Sequence, residues 1–149
     1  RSLRELDEYA AQFGARVALE DLPRSCLANS SVETRAMAQA AGNAPICFDV
    51  NHLLGETHGE FLRNLASNVV TTHLSDYDGV DERHWLPGEG VIDWPDFLRR
   101  LRASGYKGVF MHEVRAGENA TPANVVKAYK EVICGKTKKQ PTQNAQNHE

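Results

Sequence analysis

The sequence predicts an α/β fold, a parallel sheet covered by helices. Two observations carry that expectation. Short apolar runs alternate with helix-patterned segments in the order α(βα)4. The runs are apolar almost throughout, as in strands buried on both faces, where strands with one wet face would alternate apolar with polar. A third observation points to function: Glu20, Asp49, His73 and Glu113 each lie at or near the end of such a run.

Taken in order, residues 2–13 carry Leu3, Leu6, Tyr9, Ala10 and Phe13 at helical spacing, and Gly14 supplies the residue that closes the helix. Residues 16–20 form a short apolar strand ending in Glu20, followed by Asp21-Leu22-Pro23. After a polar loop, Ser30-Ser31-Val32-Glu33 has the capping-box pattern and opens a helix to Ala41, stopped by Gly42. Pro45 launches the strand 46–50, with Asn51 and His52 just beyond it. Thr57-His58-Gly59-Glu60 repeats the Thr-x-x-Glu signal and opens a helix to about Ala66.

Residues 69–74 form the third strand. The connection after it, residues 75–93, is long for a βα loop and rich in Asp, Gly and His, which marks a functional segment. Asp93-Trp94-Pro95 is a helix entry with proline in the first turn; Phe97, Leu98 and Leu101 mark the buried face and Gly105 the end. Residues 108–114 form the fourth strand, and Thr121-Pro122 opens the last helix, which runs to Gly135. The polar residues 136–149 read as a disordered tail whose Lys136, Lys138 and Lys139 are solvated.

Composition narrows the function. A hydrophobic content of 41% and a charged content of 25% suit one domain with a real core. A net charge of −3 offers no basic field for nucleic acid. No apolar run approaches the roughly 20 residues of a membrane span. Cys26, Cys47 and Cys134 lack CxxC spacing and are odd in number, which suits a reducing, cytoplasmic setting and neither a disulfide framework nor a zinc knot. The sequence opens at Arg1 inside a helical pattern, so it is expected to belong to something longer.

Right-handed crossovers place the C-terminal ends of parallel strands on one face of the sheet. Singly, an acid there reads as a helix cap or a solvated residue, and His73 as a core histidine. Together, three carboxylates and an imidazole repel unless a cation neutralises them. Hard oxygen donors with one nitrogen suit Mn²⁺, Mg²⁺, Co²⁺ or Zn²⁺ in an open, catalytic site. His52 is a candidate contact to substrate or to a further metal, and reads equally as a plain loop histidine. His84, with Asp81 and Glu82 nearby, reads as a second metal cluster, a substrate clamp or a solvated patch; Asp76 in the same loop is a further candidate substrate contact. His58 and His112 read as structural, His112 because it alternates with Glu113. Trp85 is placed at the pocket wall and Trp94 beneath the loop.

The segments Val17-Ala18-Leu19-Glu20-Asp21-Leu22-Pro23, Phe48-Asp49-Val50-Asn51-His52, His73-Leu74-Ser75-Asp76, Pro87-Gly88-Glu89-Gly90-Val91-Ile92-Asp93-Trp94 and His112-Glu113-Val114 resemble the xylose-isomerase-like TIM-barrel superfamily. That group includes sugar and sugar-phosphate isomerases, ketose 3-epimerases and the apurinic endonucleases of the same fold. The resemblance covers residues 2–134 in family order. It implies a (βα)8 barrel of which residues 1–135 supply only the last four βα units. It further implies that Glu20, Asp49, His73 and Glu113 are ligands of a divalent metal, with Glu20 and Glu113 as the catalytic pair that exchanges protons with a carbohydrate through an enediolate. His52 matches a histidine that contacts substrate oxygen.

Two departures qualify the match. The arginine that epimerases place in the seventh loop is absent at its usual spacing, where Gly79 stands. Glu82-Arg83-His84 has the spacing of an endonuclease Asp-x-His ligand pair, with Glu in place of Asp. Four strands cannot close a barrel that needs eight, so the chain is expected to join a missing N-terminal half or a second copy. The leading expectation is a metal-dependent sugar or sugar-phosphate isomerase or epimerase. A metal phosphodiesterase of the apurinic-endonuclease type and a non-catalytic metal-binding half-barrel are the alternatives.

Overall fold

The structure, a computed structural model, describes residues 2–115, 117 and 119–135. The tail beyond them, with Lys136, Lys138 and Lys139, lies outside the described residues. Helices α1 (Ser2–Ala11), α2 (Ser31–Ala40), α3 (His58–Leu65), α4 (Trp94–Ala103) and α5 (Pro122–Ala128) alternate with strands β1 (Leu19–Glu20), β2 (Ile46–Asp49), β3 (Val69–Leu74) and β4 (Phe110–His112). The strands form one parallel sheet in the order β1-β2-β3-β4. Each strand lies beside its predecessor, the winding of a βα barrel wall.

Side-chain caps place the helix starts. Ser30 accepts a hydrogen bond from the amide of Glu33, while the Glu33 carboxylate takes the amide of Asn29, so only half of the expected capping box forms. Thr57 and Glu60 make the box complete on α3. Asp93 and Thr121 cap α4 and α5, each with proline in the first turn.

Two strands are shorter than expected. The amide of Val17 is taken by the carboxylate of Asp7 at 2.9 Å, which leaves β1 only Leu19 and Glu20. In β4, pairing spans Phe110 to His112 alone. Gly108 lies just before it because a Cβ there would stand 2.1 Å from the carbonyl oxygen of Val70. The last helix also departs from expectation: α5 stops at Ala128, and Tyr129–Ile133 continues as a π turn.

Alternation along β2 sorts the two faces of the sheet. Ile46, Phe48 and Val50 enter the core under the helices, where Phe48 stacks on Phe61 at 4.1 Å and meets Phe97. Cys47 and Asp49 take the opposite face. His112, on the helix side of β4, packs edge-on against Tyr129 at 5.7 Å. Exposed apolar side chains include Val70 and Met111 on the sheet, Leu6 and Tyr9 on α1, which buries none of its residues, and Phe13 just beyond that helix. No described helix is long and apolar enough to cross a membrane.

Candidate metal centre

Strand ends deliver four side chains to one point. Glu20 ends β1, Asp49 ends β2, His73 is the penultimate residue of β3, and Glu113 follows β4. Asp49 and His73 are register partners across β2 and β3. The Nδ1 atom of His73 lies 3.0 Å from Glu20 Oε1, 2.7 Å from Glu113 Oε2 and 3.8 Å from Asp49 Oδ2. One ligand atom from each residue falls within 4.8 Å of all the others.

The donor set fits a divalent cation. Two ligands at right angles about an ion roughly 2.1 Å away stand roughly 3.0 Å apart, close to the shorter separations seen here. The orphaned oxygen of Asp49 is the stronger sign. Its Oδ1 accepts the amide of Asn51 at 2.7 Å, whereas its buried Oδ2 has no hydrogen-bond partner and faces the ring nitrogens of His73 and His52. A buried acceptor is costly when left alone, and an ion satisfies it. Burial pushes the Asp49 carboxyl up to about 7, and the nearby carboxylates of Glu113 and Glu20 act in the same direction.

Two residues next to the cluster carry no clear signal in the sequence. Asp21 is fully buried; its Oδ1 accepts the amide of Asp49 at 2.8 Å and its carbonyl bonds His52 Nδ1 at 2.8 Å. Through those bonds its side chain braces β2 and its carbonyl holds His52, and burial raises its carboxyl well above the ordinary range. Cys47, the register partner of Glu20, forms a second compact group with Glu20 and His73. Burial and the surrounding carboxylates push its thiol up to about 12, which keeps it protonated near neutral pH.

His52 stands at the rim of the cluster, its Nε2 3.6 Å from Asp49 Oδ2 and its ring edge-on to His84 at 5.8 Å. His84 joins it there with a left-handed backbone, φ 53°, a conformation that costs a non-glycine residue about 1–3 kcal/mol. Bonds from its Nδ1 to the Glu113 carbonyl at 3.1 Å and from the Arg115 amide to its own carbonyl at 2.8 Å hold it in place. The second metal cluster considered for His84 does not assemble. Arg24, from the loop after β1, takes the carboxylates of both Asp81 and Glu82, and every compact ligand group among the described residues contains Glu20 and His73.

Asp76 takes a different place from the one expected of a substrate contact. It is fully buried, and its carboxylate accepts from the amides of Tyr77, Gly88 and Ile92 and from Trp94 Nε1 at 2.8 to 3.2 Å. It therefore folds the long loop onto α4. Asn51 performs the matching task between loops, donating to Ser75 Oγ and the Asp76 carbonyl and accepting from the Arg83 amide. His58, whose Nε2 bonds the Val50 carbonyl at 2.7 Å, packs among Phe48, Tyr77 and Phe97.

Known proteins resemble this chain in sequence and in fold. An uncharacterized protein of Methanocaldococcus jannaschii is 28% identical over 143 residues, covering 89% of this chain and 48% of the relative. An inosose isomerase of Halalkalibacterium halodurans is 27% identical over 124 residues, covering 75% of this chain and 44% of the relative. The crystal structure of a D-tagatose 3-epimerase-like protein superposes with a TM-score of 0.74 at 26% identity, covering 90% of this chain and 51% of that one. The chain thus spans about half the length of the curated relatives it matches. The family described as xylose isomerase-like TIM barrel matches residues 1–133. That match covers the parallel βα wall described above, and the chain belongs to the xylose isomerase-like TIM-barrel family.

Proposed function

We propose that the protein is a divalent-metal-dependent isomerase or epimerase of a sugar or sugar phosphate. One observation carries the reading: Glu20 and Glu113, from the two edge strands, reach His73 Nδ1 at 3.0 and 2.7 Å. A pair of carboxylates around one centre is the equipment for removing a carbon-bound proton and returning it elsewhere. The sugar-acting relatives support the same class of substrate.

In this reading Glu20, Asp49, His73 and Glu113 hold the ion, with Mn²⁺, Mg²⁺, Co²⁺ and Zn²⁺ all compatible with the donor set. When bound, the ion polarises a substrate carbonyl and acidifies the neighbouring C–H. One glutamate takes that proton, leaving an enediolate whose carbon–carbon double bond spans the former carbonyl carbon and its neighbour. The other glutamate delivers a proton to the opposite face, which epimerises the centre, or to the adjoining carbon, which moves the carbonyl. His52, at the rim, donates to a substrate oxygen.

The sheet is completed in this proposal by further strands, from more of the same polypeptide or from a second copy. Exposed Val70 and Met111 on the sheet, Tyr9 on α1 and Phe13 just after it support it, since apolar surface of that kind calls for a cover. The unpaired cysteines support a reducing, cytoplasmic setting.

The test is a panel of ketoses and aldoses with their phosphate esters, incubated with the assembled protein and Mn²⁺ in heavy water. Deuterium enters at a carbon next to the carbonyl in at least one sugar, and Glu113→Gln abolishes it. No exchange in any sugar, or exchange untouched by Glu113→Gln, rejects the mechanism.

A further inference from the structure

A cleft of about 650 Å³ opens beside the metal group, walled by the loop after β3 and the loop after β4. The first loop contributes His84, Trp85 and Leu86, and the second contributes Val114 and Arg115. Continuity with the cluster is direct. Arg115 is two residues beyond Glu113, so their Cα atoms are at most about 7 Å apart. His84, bonded to the Glu113 carbonyl, lines the cleft and also faces His52. A volume of this size falls in the roughly 300–1,000 Å³ range of clefts that take drug-sized ligands, more than the few carbons engaged at the metal group.

The charges in the cleft are unequally engaged. Arg83 is paired through Nε with Asp78 at 2.7 Å, and the carboxylate of Glu89 accepts the amide of Leu86 at 3.1 Å. The side chain of Arg115 makes no ion pair with any described residue, while its backbone amide is fixed to the His84 carbonyl at 2.8 Å. Among the described residues its guanidinium is therefore an unpaired cation on an anchored base. Trp85 is fixed in turn by reciprocal backbone bonds with Asp76, 2.9 Å each, and leaves 38% of its surface open. An indole face packs against the C–H side of a sugar, and a guanidinium takes an oxyanion through two parallel hydrogen bonds.

We propose that this cleft is the distal half of the substrate site and selects sugars that carry an anionic group, a phosphoester or a carboxylate, a few carbons from the reacting centre. Arg115 receives the anion and Trp85 packs on the sugar. The proposal rests on the isomerase or epimerase reading for the chemistry at the other end, but its test requires no turnover.

The assembled protein with Mn²⁺ is titrated calorimetrically with a ketopentose, its 5-phosphate and a hexuronate. At least one charged ligand binds ten-fold or more tighter than the ketopentose, and the stronger of the two identifies the anion. Arg115→Met removes that advantage and leaves the ketopentose unchanged; Arg115→Lys keeps part of it. Trp85→Ala weakens the neutral and charged sugars by similar factors. Equal binding of neutral and charged ligands overturns the proposal, as does an advantage that survives Arg115→Met. An equal loss of every ligand in Arg115→Met also overturns it, by showing a structural role. Deuterium exchange into neutral sugars with no charged preference sinks the cleft and keeps the chemistry; a charged preference without exchange does the reverse.

Discussion

Glu20 Oε1 and His73 Nδ1 lie 3.0 Å apart although β1 and β3 are not neighbours in the sheet. Strands two places apart are separated by roughly 9.6 Å, so the two side chains must lean together over β2. Asp49 stands on the strand between them, and Glu113 closes the group from the far edge at 2.7 Å. Four strand ends on one face of a parallel wall thereby become one candidate ligand set. Consequences follow for titration, folding and the long loop.

Stability of the metal-free protein depends on pH through Asp49. Burial lifts its carboxyl from an ordinary 3.8 to about 7 in the folded chain. Between those values the folded state holds a proton that the unfolded state has released, so stability falls as pH rises. The contribution is full below about pH 4 and lost above about pH 7. Asp78, held low at about 2 by backbone amides and Arg83, varies below that window. Thermal melts of metal-free protein should drop from pH 5 to pH 8, Mn²⁺ should restore the loss at pH 8, and Asp49→Asn should make the profile shallower while the dependence due to buried Asp21, raised in the same direction, remains.

Asp76→Ala leaves the amides of Tyr77, Gly88 and Ile92 and the Trp94 indole without their shared acceptor. Each buried donor stranded in this way costs roughly 1–3 kcal/mol. Urea denaturation should show a loss on the order of 3 kcal/mol or more. Metal stoichiometry at low temperature should remain that of the parent protein, because Asp76 belongs to the loop and not to the ligand cluster. A lost ion with unchanged stability would reverse those roles.

Gly90→Ala tests how tightly the same loop is folded. An added Cβ would stand 2.1 Å from the Tyr77 carbonyl oxygen and 2.3 Å from Asp76 Oδ1. The loop must move, and the melting temperature should fall by several degrees. Gly55→Ala is the control: nothing lies within 4 Å of its Cβ position, and its effect should stay within about 0.5 kcal/mol.

Glu82→Gln separates the loop acids from the metal. The Arg24 pairing assigns Glu82 a strap between the loops after β1 and β3. The substitution should leave the number of bound ions unchanged in atomic absorption measurements. Loss of an ion would restore the second cluster that the sequence alone leaves open.

The wall was legible in the sequence because its signals are local. Thr57 with Glu60, and Asp93 with Pro95, mark helix entries through bonds spanning a few residues. Two-residue alternation then separates Glu113 from His112 and sends them to opposite faces. What escaped depends on chain segments far apart. Arg24 meets Asp81 and Glu82 more than fifty residues away in the sequence, and nothing near those acids announces it. Asp76 stands in a polar loop as a candidate substrate contact, and only the folded loop turns it onto Trp94. Asp21 carries no signal of its own beside Glu20, since the sequence does not say that the chain bends there to bury its carboxyl against the Asp49 amide. The early end of β1 has the same origin, in Asp7 capturing the amide of Val17.

The most direct test of the account is a Mn²⁺ titration of the assembled protein followed by electron paramagnetic resonance. One ion per chain should bind. Asp49→Asn and His73→Leu should each weaken it beyond the roughly 10–100-fold loss caused by removing an outer partner, and His112→Ala should leave it intact. Binding that persists unchanged in both Asp49→Asn and His73→Leu would contradict the metal centre on which the proposed chemistry depends.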